Sequence, residues 1–242
     1  MKILERLGTK PFAIIGHRGA AGLAPENTLK AIETGIRAGA DIVEVDVRST
    51  RDGKIVVFHD PDLSRLAGVE KNISDVTYEW LRKNIRIGGE PIPLLEEVVE
   101  QVKDRVGLFV EVKEPRITRQ VLEILEAHRI LGDAAVISFI DEVLVEAKAI
   151  NPGVVTGLIY FRPPGRILDA KKLGARIVLP NYRIASRKAN AFAHRLGLRV
   201  AAWTINDEGS MMKAYENGVD GIATDYPDKA SGLRRKLLGN PA

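Results

Sequence analysis

Two acidic residues interrupt an apolar stretch, VEVDV at positions 43–47, that otherwise has the pattern of a buried β-strand. Side chains alternate along a strand, so Glu44 and Asp46 point to one face and the valines to the other. Two ionised carboxylates held close together repel each other unless one is protonated or a cation lies between them. Hard divalent ions such as Mg²⁺, Ca²⁺ or Mn²⁺ prefer oxygen ligands of this kind. Together with Glu111, from the later stretch VEV, these acids predict a metal site.

Two of the four histidines occur in the same kind of position, directly after an apolar run. His17 follows FAIIG and His59 follows IVVF. The ordinary pKa of histidine lies near about 6.5, so one imidazole can accept a proton while another donates one. We therefore predict that His17 and His59 are catalytic and act as an acid–base pair.

Two cationic residues stand close to these groups in the sequence, Arg18 after His17 and Lys113 two positions after Glu111. Arginine can hold phosphate through paired hydrogen bonds, so a binding site for an anionic group, above all phosphate, is predicted here. A simpler interpretation also stays open, in which the acids form buried ion pairs with Arg18, Arg48 or Lys113. The favoured hypothesis is metal-assisted chemistry on a phosphate ester.

Elements that could position these residues alternate along the whole chain. The predicted strands are Phe12–Gly16, Asp41–Val47, Gly107–Val112, Ala135–Ser138, Val154–Ile159, Ile177–Leu179, Val200–Thr204 and Gly221–Thr224. The predicted helices are Asn27–Ala38, Leu94–Lys103, Thr118–His128, Asp141–Ile150, Arg166–Leu173, Ser186–Leu196, Asp207–Glu216 and Asp228–Leu237. Eight β/α alternations in 242 residues favour a closed barrel of parallel strands over an open doubly wound sheet.

The candidate residues all fall where a parallel barrel carries its catalytic groups, at the carboxyl ends of strands and in the loops that follow. We predict a single domain, 1–242, with a small insertion after the second strand at about 48–106. The insertion is expected to hold an extra strand, Lys54–Phe58, and a short helix near Tyr78–Lys83.

Composition limits the classes of protein that the chain can belong to. It has 45% hydrophobic residues, a net charge of +4 and no cysteine, which excludes disulfides and thiolate metal sites. Its lysines and arginines are spread along the chain, which argues against a nucleic-acid partner. No apolar run reaches the roughly 18 residues of a transmembrane segment, and the first residues do not read as a signal peptide. We expect a cytoplasmic protein and leave a homo-oligomer open.

The motifs form an ordered series: HRGAAGLAPENT at 17–28, GADIVEVDVRSTRDGKIVVFHDPDLSR at 39–65, IPLLEEV at 92–98, VEVK at 110–113, SF at 138–139, AWTIND at 202–207 and GVDGIATDYP at 218–227. HRG with PENT, followed by ExD and HD, is a specific combination. In this series, which covers nearly the whole chain, the protein resembles the glycerophosphodiester phosphodiesterases.

The resemblance implies a TIM barrel that cleaves a small-molecule glycerophosphodiester to glycerol phosphate and an alcohol, with one divalent ion, Mg²⁺ or Ca²⁺ with Mn²⁺ as an alternative. Matched residue by residue, it implies an acid–base pair, three metal ligands, two phosphate-contacting residues and an aromatic wall beside the glycerol: His17 and His59; Glu44, Asp46 and Glu111; Arg18 and Lys113; Trp203. For Asn27 we expect a structural role, capping the first helix.

Three other functions fit these residues less well. A phospholipase acting on intact or lyso-lipids would need an apolar approach to the site, and an aromatic content of 5% gives no sign of one. A non-catalytic phosphoester-binding barrel would be expected to lack a histidine or an acid of the set. A lyase or aldolase would use a lysine such as Lys113, and the two histidines fit phosphodiester cleavage better. The preferred head group stays open.

Overall fold

The computed structural model describes residues 2–162 and 165–239. The strands in this part of the chain are β1 Ala13–Gly16, β2 Ile42–Ser49, β3 Ile55–Val57, β4 Asp62–Leu63, β5 Val69–Asn72, β6 Gly107–Val112, β7 Ala134–Ser138, β8 Val155–Tyr160, β9 Ile177–Pro180, β10 Arg199–Ala202 and β11 Gly221–Thr224. Its α-helices are α1 Ile3–Arg6, α2 Leu29–Arg37, α3 Ser64–Ala67, α4 Tyr78–Asn84, α5 Leu95–Val102, α6 Thr118–Ala127, α7 Asp141–Ile150, α8 Arg166–Lys172, α9 Arg187–Arg195, α10 Glu208–Glu216 and α11 Pro227–Leu237.

Eight of these strands close into a parallel barrel with helices between them. The order is β1, β2, β6, β7, β8, β9, β10 and β11, and the barrel closes because β1 pairs with both β2 and β11. The predicted fold class, a TIM barrel with a small insertion after the second strand, is confirmed. Each predicted barrel strand and helix is present with its ends within two residues of the expected positions.

The alternation in β2 and β6 separates two hydrophobic layers. Val43, Val45 and Val47 face outward into the large cluster between barrel and helices, as predicted. Ile42 and Phe109 face inward and join a second cluster inside the barrel. Because the period of a strand is two, the acids of these strands must share the inner face. The barrel interior therefore changes from apolar to charged toward its carboxyl end.

The short helix α1 closes the other end of the barrel. Ile3 and Leu7 are fully buried and belong to the inner cluster. A Cβ atom at Gly107 would lie 2.6 Å from Ile3, and one at Gly221 would lie 2.7 Å from Leu7. The strands thus begin with glycine where the helix side chains enter, and only the carboxyl end of the barrel stays accessible.

The insertion has a core of its own. Strand β3 pairs antiparallel with the end of β2 that extends beyond the barrel. Behind it, β4, β5, α3 and α4 surround a separate apolar cluster that includes Phe58, Leu63, Ile73 and Leu81. The predicted extra strand and short helix are both present. Within residues 2–162 and 165–239, no helix is both long and apolar enough to cross a membrane.

Candidate active site

The residues predicted for the site meet at the carboxyl end of the barrel. A cavity of about 180 Å³ is lined by His17, Arg18, Glu44, His59, Glu111, Lys113 and Trp203. Asp46, the remaining predicted residue, is only 1% exposed and lies in contact with Lys113. The elements that bring them there are the loop after β1, strands β2 and β6, the segment after β3, and the segment after β10.

The three acids form one compact group of oxygen atoms. One carboxylate oxygen from each of Glu44, Asp46 and Glu111 lies within 4.8 Å of the others. The parallel register of β2 and β6, which places Asp46 opposite Glu111, brings this group together. Burial raises the pKa of Glu44 to about 7 and that of Glu111 to about 8, and the negative charge of Asp46 adds to both shifts.

Two cationic side chains contact this group from the barrel rim. The Nζ atom of Lys113 contacts the carboxylate of Glu111 and lies 2.8 Å from Oδ1 of Asp46. The Nε atom of Arg18 lies 3.4 Å from Oδ2 of Asp46. Burial would raise the pKa of Asp46, but the charges of Lys113 and Arg18 outweigh it and hold that pKa well below its usual range. Asp46 is therefore the acid that stays ionised.

The alternative prediction, that the acids form buried ion pairs, is therefore correct for Lys113 and Arg18. It is wrong for Arg48, which contacts Glu114 at 3.3 Å instead. These ion pairs do not account for Glu44. One oxygen of Glu44 accepts a hydrogen bond from the backbone N–H of Arg18 at 2.9 Å. Its other oxygen, Oε1, is buried and has no hydrogen-bond partner in the described part of the chain. A buried oxygen without a partner, beside two further carboxylates, fits a hard divalent cation.

Each predicted catalytic histidine is held by an aspartate. The Nδ1 atom of His17 lies 2.7 Å from Oδ1 of Asp225, and Asn206 donates a hydrogen bond to the other oxygen of Asp225 at 2.6 Å. The Nδ1 atom of His59 lies 2.7 Å from Oδ1 of Asp60. An aspartate on Nδ1 fixes the tautomer, which leaves Nε2 of each ring free of this contact.

The surroundings move the two imidazoles in opposite directions. Burial would lower the pKa of His17, but its hydrogen bond to Asp225 and the charge of Glu44 outweigh burial, so the pKa is raised. Burial also lowers the pKa of His59; the charge of Asp46 opposes this effect without cancelling it. The pKa of His17 is therefore higher than that of His59, so His17 holds its proton more strongly.

The expected role of Asn27 is wrong. Thr28, not Asn27, is the N-cap of α2, and its side chain accepts a hydrogen bond from the backbone N–H of Ala31 at 3.1 Å. Asn27 has a φ of 57°, which turns its side chain toward the barrel. There its amide donates a hydrogen bond to Oδ2 of Asp46 at 2.9 Å and accepts one from the Asp46 backbone at 3.3 Å. Asn27 thus orients a predicted metal ligand.

A chain of ion pairs connects the two sides of the site. Arg18 donates to Oε1 of Glu26 at 2.6 Å, and Arg65 of α3 binds both oxygens of Glu26 at 2.7 and 3.0 Å. The Nε atom of Arg65 donates to Asp60, the partner of His59, at 2.5 Å. The insertion is thereby tied to the loop after β1. Sequence reasoning missed this chain, because no local pattern shows that Glu26 and Arg65 meet.

Trp203 stands at the edge of the cavity. Its Nε1 donates a hydrogen bond to the backbone oxygen of Leu179 at 2.7 Å, which fixes the plane of the ring. The ring of Phe139 packs edge-on against it, with ring centroids 5.5 Å apart. Trp203 therefore both packs at the rim and presents an aromatic face next to the charged residues.

Comparison with known proteins identifies the family of the chain. The model of the glycerophosphoryl diester phosphodiesterase family matches residues 17–229. The chain belongs to this family. It is 33% identical to YhdW of Bacillus subtilis over 89% of this chain and 95% of that protein. It is 31% identical to a glycerophosphodiester phosphodiesterase of Bacillus altitudinis over 95% and 99% of the two chains.

A solved structure extends the comparison to the fold. An Oleispira antarctica phosphodiesterase, in complex with its product sn-glycerol-3-phosphate, superimposes with a TM-score of 0.86 at 29% identity, over 91% of this chain and 96% of that one. The predicted resemblance is confirmed, and with it the enzyme class, a hydrolase that acts on glycerophosphodiesters. The carboxyl end of the barrel, where the predicted residues meet, is the candidate active site of this phosphodiesterase.

Proposed function

We propose that this phosphodiesterase depends on one divalent metal ion, Mg²⁺, Ca²⁺ or Mn²⁺, and cleaves its substrate by acid–base catalysis with His17 and His59. The observation that carries the proposal is the shared cavity. Two histidines, each with Nδ1 held by an aspartate, line it together with two of the three buried acids. This combination suits proton transfer beside a polarised phosphate, and it gives each group a distinct task.

Glu44, Asp46 and Glu111 would hold the ion, and Asn27 would keep Asp46 in position. When bound, the ion supplies positive charge that polarises phosphate oxygens and stabilises the negative charge of the transition state. Arg18 and Lys113 act on the same charge. Their guanidinium and ammonium groups donate hydrogen bonds to phosphate oxygens and fix the phosphorus relative to the two imidazoles.

The histidines move the protons. One imidazole takes the proton of the attacking hydroxyl through its free Nε2, and the other gives a proton to the oxygen of the departing alcohol. The attacking hydroxyl is either water or the 2-hydroxyl of the glycerol, which would give a cyclic phosphate for a second hydrolysis. In both routes Asp225 and Asp60 keep the rings oriented and stabilise the imidazolium that forms.

The substrate is a glycerophosphodiester, and glycerol phosphate is the expected product. Support comes from the family, and from the relative whose structure contains sn-glycerol-3-phosphate. Trp203 would form the aromatic wall against which the carbon side of the glycerol packs. Three further statements stay predictions from the sequence: the chain forms a single domain, it is cytoplasmic, and it could form a homo-oligomer.

The test is a turnover assay on purified protein with glycerophosphocholine, glycerophosphoethanolamine and glycerophosphoglycerol. We expect EDTA to abolish release of glycerol phosphate and one of the three ions to restore it. His17→Ala and His59→Ala should each lower kcat by about 10²–10⁴-fold. His128→Ala is the matched control, because His128 contacts Glu100 on the outer surface. Full turnover in EDTA would disprove metal dependence, and normal turnover of either site variant would disprove the acid–base pair.

A further inference from the structure

A second cavity lies at the amino end of the barrel, opposite the candidate active site. Its volume is about 450 Å³, compared with about 180 Å³ for the cavity of the candidate active site. Its lining residues stand where strands begin: Lys10 before β1, Arg176 directly before β9, Arg199 at the start of β10 and Asp220 directly before β11. His194, in the last turn of α9, also lines this space, which we call the amino-end cavity.

A buried aspartate holds two side chains of this cavity in place. Oδ1 of Asp220 accepts a hydrogen bond from Nη1 of Arg199 at 2.8 Å. Oδ2 of Asp220 accepts a second one from the backbone N–H of Val200 at 2.8 Å and lies 2.8 Å from Nε2 of His194. The carboxylate is therefore fully used within the protein, and its charge is balanced by that of Arg199.

Lys10 and Arg176 add positive charge that no acid balances. In the part of the chain that the structure describes, neither side chain makes a hydrogen bond or an ion pair. Three cationic side chains and one carboxylate therefore line the cavity, so positive charge is in excess even when His194 is neutral. The excess reaches Lys148 of α7, whose pKa is lowered by burial and by the charge of Arg176.

Arginines elsewhere at this end of the barrel have acidic partners. The guanidinium of Arg234 contacts Asp41, directly before β2, and that of Arg6 lies 2.9 Å from Asp133, directly before β7. Arg176 lies at the same end of the barrel without such a partner. An ion pair is thus the usual arrangement near these strand starts, and the amino-end cavity departs from it.

The helix dipole does not explain this departure. A cation in the last turn of a helix interacts favourably with the dipole, which accounts for Lys148 in α7 and His194 in α9. Lys10 and Arg176 lie outside the helices. Cations that share one cavity repel each other, and a bound anion would remove this repulsion. The amino-end cavity therefore has the charge of an anion-binding site.

The donors indicate which kind of anion fits. An arginine guanidinium binds phosphate oxygens through paired hydrogen bonds, and a lysine ammonium adds a compact positive charge. The volume lies in the range of small-molecule sites, about 300–1,000 Å³, whereas a nucleic acid would need a basic stripe along the surface. An excess of more than one positive charge matches a dianion better than a monoanion.

We propose that the amino-end cavity binds a phosphate dianion, either inorganic phosphate or the phosphate group of a small monoester. Lys10 and Arg176 contact the phosphate oxygens, together with the N–H groups of Arg199 that Asp220 does not use. This site lies at the opposite end of the barrel from the three acids and two histidines of the candidate active site, so it does not depend on the proposed function.

The experiment follows the NMR signals of the histidine rings in the full chain with Mg²⁺ present. Of the four histidines, His194 lines the amino-end cavity, and His194→Gln identifies its signal. At constant pH and ionic strength, inorganic phosphate should shift this signal to saturation, and acetate, a monoanion, should bind about tenfold more weakly. Glucose 6-phosphate tests the monoester. Binding as tight as that of phosphate or tighter would identify a monoester as the ligand, and weaker binding would identify inorganic phosphate.

Two variants test the contacts with the anion. Arg176→Gln and Lys10→Gln should each weaken phosphate binding at His194 by about tenfold, because each removes a charge-assisted hydrogen bond, and should leave the turnover of glycerophosphodiesters unchanged. Arg51→Gln is the matched control and should keep the affinity, because Arg51 is an exposed arginine in the turn before β3.

A His194 signal that does not move with phosphate, or that moves equally with acetate, would overturn the proposal. So would wild-type phosphate affinity in both Arg176→Gln and Lys10→Gln. Shifts confined to the two histidines of the candidate active site would overturn it as well, because phosphate would then bind at the carboxyl end of the barrel and not in the amino-end cavity.

Discussion

Asp225 and His17 are separated by 208 positions in the chain, yet Oδ1 of Asp225 lies 2.7 Å from Nδ1 of His17. The contact exists because β11, which ends just before Asp225, pairs with β1, which ends just before His17. The last strand of the barrel thus positions the proposed catalytic histidine that follows the first strand. Closure of the barrel therefore forms the contact on which the proposed role of His17 depends.

Replacement of Asp225 by asparagine tests this relationship. Asp225→Asn removes the negative charge that raises the pKa of His17, so that pKa should fall, and the wrong tautomer becomes available. We expect kcat to decrease about 10²-fold with a smaller change in KM, and the pKa to decrease in NMR titrations of the metal-free protein. Asp207→Asn is the control, because Asp207 is the N-cap of α10, outside the site, and asparagine caps a helix as well as aspartate does. An unchanged pKa of His17 would contradict the role of Asp225.

The same pair predicts how stability depends on pH. The pKa of His17 is raised in the folded state, so its protonation stabilises the fold fully below the ordinary value of 6.5, and this contribution is lost as pH rises through the folded-state pKa. The difference in free energy of unfolding between wild type and Asp225→Asn should therefore be larger at about pH 5.5 than at about pH 9. Urea denaturation in EDTA measures it. A difference that grows with pH would show that the sign is wrong.

Variants of the neighbouring residues Asn27 and Thr28 should separate metal binding from the stability of the fold. Thr28→Ala removes the N-cap of α2 and should lower the free energy of unfolding by about 1 kcal/mol. The midpoint of thermal unfolding should then decrease by about 2–4 °C, with kcat/KM unchanged. Asn27→Ala leaves the cap intact but removes the hydrogen bond to Asp46, so both metal affinity and kcat/KM should decrease. Calorimetric metal titrations and turnover assays on both variants check this. Normal metal affinity in Asn27→Ala would contradict the orienting role.

The residues that alternation alone positions could be predicted from the sequence. Glu44, Asp46 and Glu111 share a face because each lies on a regular strand, and the valines of β2 pack outward for the same reason. The positions of His17 and His59 at the rim could be predicted because each lies within two residues of the end of a strand. In all these cases, position along an element determines position in space.

The contacts between distant segments could not be predicted in this way. Nothing near Arg65 in the sequence shows that it contacts Glu26, and nothing near Phe161 shows that Phe139 lies beside it. The error at Asn27 has another cause: an asparagine next to a helix start is a good N-cap, and the positive φ that turns it away depends on the loop. Tertiary structure decided each of these cases.

We expect Arg65 to be a positioning residue that acts on His59 through Asp60. It is 47% exposed on its side chain, so its ion pairs contribute little to stability, but it holds both Asp60 and Glu26. We expect Arg65→Met to lower kcat about tenfold by loosening His59, with a loss of stability below about 1 kcal/mol. Arg65→Lys should restore part of the activity. Arg82→Met is the control, because Arg82 is 41% exposed and pairs with Glu97, also outside the site. Equal kcat in both methionine variants would refute the positioning role.

Glu111 distinguishes a metal site from a structural ion pair. Its pKa in the metal-free protein is raised from 4.5 to about 8, so the fold loses stability as pH rises through this range, because the unfolded chain gives up the proton first. Glu111→Gln removes that loss and should make the metal-free protein more stable than wild type at about pH 8.5. The midpoint of thermal unfolding should increase by about 2–4 °C for each 1 kcal/mol gained in free energy of unfolding. The same variant should lose the stabilisation that added Mn²⁺ or Mg²⁺ gives the wild type.

The ion-pair alternative predicts the opposite result, because Glu111→Gln would then leave Lys113 with a lost partner and lower the midpoint at every pH. Thermal unfolding scans in EDTA and in excess metal, at about pH 5.5 and about pH 8.5, separate the two. Glu114→Gln is the matched control, because Glu114 pairs with Arg48 and Arg116 and should leave the effect of metal unchanged. A Glu111→Gln protein that is less stable than wild type in EDTA at about pH 8.5, yet still gains from metal, would mean that Glu111 is held for its charge and is not a ligand.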